Sequence, residues 1–152
     1  SDLPIPVAAD ESAPTESDAI RRFDLGYRGM ALKAIAKTLS GTIRMAQLCH
    51  ERGIACMAAD LTVNPILVDW NKAVAARLAP FPGMEQGMME TNGHQQYADW
   101  PRMESYHPCA EAPWRRVRQG VFELGDDFYR RSGCVLESSE HYEALVAPMA
   151  VP

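Results

Sequence analysis

The sequence predicts an α/β protein assembled from consecutive strand–helix units, and three observations carry that prediction. Over the first ninety residues, short apolar runs alternate with stretches of helical periodicity. The runs begin about 25–30 residues apart, the spacing that parallel strands joined by helical crossovers require. They are also continuously apolar, as expected of strands covered on both faces. This fits a doubly wound parallel sheet or an arc of a (β/α)8 barrel. No GxGxxG or Walker-type loop follows any strand, which weakens the nucleotide-binding version.

Residues 3–9, LPIPVAA, give the first strand. The segment 15–23 opens with Thr15 and Asp18 in a capping-box arrangement and predicts a short helix. Residues 28–37, RGMALKAIAK, read as the second strand. A helix over 40–53 places Ile43, Ala46 and Cys49 on one face, and Gly53 closes it. Residues 54–59 form the third strand. The clearest helix spans 64–79: Asn64 is a good N-cap, and Pro65 occupies the first helical position, where its missing N–H costs nothing. Leu67, Trp70 or Asn71, Val74 and Leu78 recur at helical spacing, with Trp70 expected in the core. After the break PFPG, residues 84–90 give the fourth strand.

Beyond residue 90 the periodicity dissolves into segments rich in Trp, Pro, His and Arg. Residues 98–152 are expected to form an irregular extension, with at most a strand or turn and one short helix, lying over the unit formed by residues 1–97. The three arginines of WRRVRQG are expected to pair with nearby acids, and His94 and His107 to lie in exposed loops.

The chain has 152 residues, 47% of them hydrophobic and 23% charged, which suits one globular domain or a piece of a larger one. A net charge of −5 argues against a nucleic-acid partner. No apolar run approaches the ~18 residues of a membrane span, and the N-terminus lacks the basic and apolar regions of a signal peptide. Cys49, Cys56, Cys109 and Cys134 include no CxxC pair and read as free thiols of a cytoplasmic protein, not as a disulfide or zinc framework.

Each expected strand finishes on a charged side chain. These are Asp10 with Glu11, then Lys37 (or Lys33, four residues earlier), then Asp60 and Glu90. Parallel β/α folds place their chemistry at the carboxyl ends of the strands, so these residues would share one rim. Carboxylates suit Mg²⁺, and a lysine among them could move a proton. Simpler structural roles stand beside this: Asp10 as a turn cap, Lys33 and Lys37 as edge-strand lysines, and Asp60 and Glu90 as helix-terminus acids.

The order PVAADES, a lysine-ended strand, LSGTIRMAQLCHERGI, DLTVNP and METNGHQQ resembles the mandelate racemase and muconate-lactonizing branch of the enolase superfamily. The resemblance covers roughly residues 3–97 and implies the C-terminal half of a TIM-type barrel, strands five to eight. It implies Asp10 as a Mg²⁺ ligand, Lys37 (Lys33 in the alternative register) as the acid/base, and Asp60 and Glu90 as further catalytic groups. Asn92 and His94 would contact a small carboxylate substrate. The implied reaction is abstraction of the proton α to that carboxylate, as in a racemase, epimerase, dehydratase or cycloisomerase. The family's other two metal ligands belong to strands this chain does not contain. A closed barrel needs about 250 residues, so four strands would be part of a longer chain or would associate as copies. The alternative is a non-catalytic α/β module that joins another chain and binds no metal.

Overall fold

The computed structural model describes residues 5–147. Its centre is a four-stranded parallel sheet in the order β1-β2-β3-β4, formed by Ala8–Ala9, Gly29–Leu32, Ala55–Ala58 and Met88–Met89. The order never reverses, so these strands contain no switch point of the doubly wound kind. Every strand is shorter than its apolar run. Residues 3 and 4 of the expected first strand lie outside the described residues. β2 stops at Leu32 because the amides of Ala36 and Lys37 both turn back onto the Lys33 carbonyl.

The helices α1 (Glu16–Asp24), α2 (Leu39–Glu51) and α3 (Pro65–Ala75) connect the strands. Their starts follow the capping residues: Thr15 accepts from the Asp18 amide, Thr38 from Gly41 and Asn64 from Leu67. Strand register puts Ala9, Met30 and Cys56 on the face that meets the helices. There they join Ala19 and Phe23 of α1 and Met45 and Cys49 of α2 in the main core. The opposite parity, Ala8, Gly29, Ala31, Ala55, Met57 and Met88, is a row of small residues and methionines. Gly29 fits this close approach, since a Cβ there would sit 3.0 Å from the Cβ of Ala8.

Two helix faces differ from the expected ones. On α2 the buried residues are Thr42, Met45 and Cys49, and Ile43 is exposed. On α3 the buried set is Pro65, Val68, Asp69, Asn71, Lys72 and Ala75, and Trp70 is only half-buried. The cause is the C-terminal extension, which covers a flank of α3 that is polar in sequence.

That extension is more ordered than its composition suggests. After a short α4 (Gly93–Gln96) that closes the first unit, it holds α5 (Trp100–Ser105), a 3-10 turn at Pro113–Arg115, and a hairpin of β5 (Val117–Arg118) with β6 (Val121–Phe122). Then come α6 (Asp126–Arg131), a second 3-10 turn at Ser132–Cys134 and α7 (Glu140–Val146). Cys109 and Cys134 form a disulfide, with Cα atoms 6.2 Å apart. This corrects the expectation of four free thiols: the partners are 25 residues apart, and only the fold brings them together. Cys49 and Cys56 are free and buried. The bridge joins Trp114 and Phe128 in a second small core.

Beneath that core lies a buried charge network. Asp69 Oδ1 accepts from Lys72 Nζ at 2.6 Å, and Asp69 Oδ2 accepts from Trp114 Nε1 at 3.2 Å and Arg115 Nη1 at 3.4 Å. Lys72 Nζ also donates to the Trp114 carbonyl at 3.1 Å. His107 is buried, contrary to expectation. Its Nδ1 accepts the Cys109 amide, and its Nε2 faces Asp69 Oδ2 at 3.2 Å, off the line of a good hydrogen bond. Burial pushes the Asp69 carboxyl up, but His107, Lys72 and Arg115 more than offset it and hold it below its ordinary 3.8. Burial lowers Lys72, against the pull of Asp69. With four donor side chains around the carboxylate, the pair is best described as ionised. The arginines of WRRVRQG pair with acids as expected: Arg115 with Glu104 and Asp69, Arg116 with Glu111, Arg118 with Glu123.

Candidate active site

The charged residues expected at the strand ends do share one rim. Asp10, Lys33 and Glu90 each follow directly on β1, β2 and β4, and Asp60 lies two residues past β3. Parallel pairing puts all four at the same edge of the sheet. The pleat then separates them. Asp10, Lys33 and Glu90 continue the parity of the small-residue face, whereas Asp60 continues the helix-facing parity.

Lys33 is the centre of the group. Its side chain is 10% exposed, and its Nζ is 2.9 Å from Asp10 Oδ1 and 2.9 Å from Glu11 Oε1. The Glu11 contact is a well-formed hydrogen bond; the Asp10 contact is an ion pair off the hydrogen-bond axis. Burial alone would lower the Lys33 ammonium, but Glu11 and Asp10 outweigh it and raise it above 10.5. Glu11 is held below its ordinary 4.5 chiefly by its bond to Lys33. At neutral pH Lys33 is therefore an ammonium clamped by two carboxylates, a proton donor and a positive anchor.

Lys37 is not the strand-end lysine. It lies four residues further on, in the turn before α2, where its Nζ donates to the Ala13 carbonyl at 3.1 Å. The apolar run continues past Leu32 and so concealed the point at which the backbone turns. Lys33 and Lys37 both line a small cleft of about 270 Å³ between the starts of α1 and α2.

Asp60 is buried, and its oxygens are occupied by its own surroundings. Oδ1 accepts the amides of Leu61 at 2.7 Å and Val63 at 3.2 Å, and Oδ2 accepts the amide of Asn92 at 2.6 Å. Glu90 is exposed, and its Oε2 accepts the Asp60 amide at 3.4 Å. Asp60 and Glu90 thus tie the loops after β3 and β4 together through backbone amides, in place of the helix-terminus role weighed from the sequence. Asn92 is part of this tie through its amide, while its side-chain Oδ1 is buried without a protein donor. His94 is exposed on α4.

The fit of Mg²⁺ to this rim is incomplete. Asp10 and Glu11 are hard oxygen donors of the right kind, but both are engaged by Lys33. Among the described residues, the one group of three potential ligands within 4.8 Å of one another is Cys109, Cys134 and Glu137. Its sulfurs are consumed by the disulfide, and it lies away from the rim. These residues do not make a Mg²⁺ site by themselves.

No family model, curated protein or solved structure matches the chain. No helix among the described residues is long and apolar enough to cross a membrane.

Proposed function

We propose that this chain contributes the acid/base part of a site that removes the proton α to a carboxylate. The observation that carries the reading is Lys33, buried at the sheet's carboxyl edge and bracketed by Asp10 and Glu11 at 2.9 Å. A buried ammonium beside acids at a strand end can hold a substrate carboxylate and return a proton to a planar enediolate, the α-proton having first passed to a base from outside these residues. The reaction would be that of an isomerase or lyase acting on a small hydroxy or sugar acid. Asp10 is the residue we assign to Mg²⁺, with the remaining ligands supplied by further acids from outside these residues. The unreversed strand order and the row of small residues opposite the helices favour an arc of a (β/α)8 barrel. Its closure would come from the rest of a longer chain or from a second copy.

Asp60, with its oxygens taken by three backbone amides, fits loop positioning better than chemistry. We keep Glu90, Asn92 and His94 as the groups that would face substrate from the fourth strand, and Lys37 as a neighbour of the cleft wall. The alternative, a non-catalytic module that associates with another chain, draws its support from the same incomplete ligand set. A cytoplasmic location rested on reduced cysteines, and the Cys109–Cys134 bridge favours an oxidising compartment instead.

The test is NMR-detected deuterium exchange at the α-carbon of aldonic and α-hydroxy acids in D₂O with Mg²⁺. Lys33→Met should abolish exchange, as should Asp10→Asn, while Asp60→Asn should lower it only through stability. Exchange that survives Lys33→Met removes the lysine from the site. No exchange by the wild-type protein, together with no Mg²⁺-dependent rise in melting temperature, favours the associating module.

A further inference from the structure

On the helix side of the sheet, α2, α3 and the α6 region enclose a cleft of about 560 Å³. That volume is typical of small-molecule sites, which are mostly apolar with a few placed polar groups. Ala46, Val74, Leu78 and Phe128 form apolar walls, and Trp70 adds an aromatic one. Two of its lips are hydrophobic side chains in water: Ile43 is 57% exposed and Leu136 is 84% exposed. Ile43 lies in water here and Trp70, expected in the core, is only half-buried against this cleft.

The cleft contains one cation, Arg77. Its Nη1 donates to the Ala73 carbonyl at 2.6 Å, and its guanidinium lies 5.6 Å from the centroid of the Tyr129 ring. Among the described residues no carboxylate comes within ion-pair distance of it. An apolar trough beside a guanidinium that meets only a carbonyl and a ring is complementary to a ligand with an apolar body and an anionic head. A guanidinium presents a planar fork of donors that matches a carboxylate.

We infer that this cleft binds an amphipathic carboxylate, with its alkyl or aryl body between α2 and α3 and its carboxylate on Arg77. The site is separate from the proton-abstraction reading: the two clefts share only Thr42 in their walls, and Asp10, Glu11, Lys33, Asp60 and Glu90 do not line this one.

Calorimetric titration of the 152-residue chain with decanoate tests it, with decanol as the uncharged control. Decanoate should bind saturably, one per chain, and Arg77→Gln should weaken it roughly 10- to 100-fold, the worth of a charge-assisted hydrogen bond. Decanol should bind the wild type about as weakly as decanoate binds that variant. Val74→Phe, which fills the trough, should abolish decanoate binding without lowering the melting temperature appreciably. Absence of saturable binding overturns the proposal. So does equal binding of decanoate and decanol with no effect of Arg77→Gln, which marks apolar adsorption. Light scattering that shows a dimer dissociated by Leu136→Glu also overturns it, because a second copy would then cover the cleft.

Discussion

Asp69 Oδ1 accepts from Lys72 Nζ at 2.6 Å across one turn of α3, with both side chains shut away from water. Trp114 and Arg115 complete the ring of donors, so one carboxylate joins α3 to the extension. Removing one member of such a pair leaves a buried charge uncompensated. Asp69→Ala should therefore destabilise the fold by about 3–5 kcal/mol, measured by urea unfolding. A loss near zero would show that the extension contributes little to stability.

The same carboxylate sets an acid limit. Asp69 is held below 3.8 in the folded state, so its stabilising contribution is complete above that value. It is lost as pH falls through the lower folded value. Unfolding free energy measured from pH 5 downward should fall less steeply in Asp69→Asn than in the wild type. Equal slopes would assign acid sensitivity to other carboxylates.

Lys33 and Glu11 define a broader window. The Glu11 shift is downward from 4.5, so its contribution fades only in acid. The Lys33 shift is upward from 10.5, so its contribution is complete below that pH and is lost as pH rises through the higher folded value. Lys33→Met should flatten the pH dependence of stability at both ends. A profile unchanged at high pH would mean that the ammonium is not held by its two acids.

The Cys109–Cys134 bridge closes a loop of 25 residues. Chain-entropy arguments give such a loop a worth of about 3.5 kcal/mol. A Cys109→Ser, Cys134→Ser double variant should lose about that much in guanidinium unfolding, with the loss absent when both proteins are compared under reductant.

Gly93 begins α4 where a Cβ would come 2.6 Å from the Val63 carbonyl oxygen. Gly93→Ala should displace the loop that carries Asn92 and His94, with a lower melting temperature. An unchanged melting temperature would show that this loop is not held against the segment between β3 and α3.

Much of the first half of the molecule could be read from its residues. Thr15 and Asn64 announced α1 and α3, and the spacing of apolar runs gave four parallel strands in their order. The shared rim followed from that order. What stayed hidden depends on tertiary contact. The turn after Leu32 lies inside an apolar run, so Lys37 looked like the strand end when Lys33 occupies it. Asp69, Lys72 and His107 look like surface residues until the extension lies over α3. Their only sequence signal was Trp114 and Arg115 in a segment otherwise without period. The disulfide had no signal in spacing at all.

The hairpin within the bridged loop turns at Gln119 and Gly120, both with positive φ, and carries exposed Arg118 beside it. A protease that cuts there severs the polypeptide between Cys109 and Cys134, but the two products stay joined through sulfur. On a non-reducing gel the nicked chain would run as one species near 16.8 kDa, and reductant would split it into two. A cut at this tip would therefore release no fragment until the bridge is reduced.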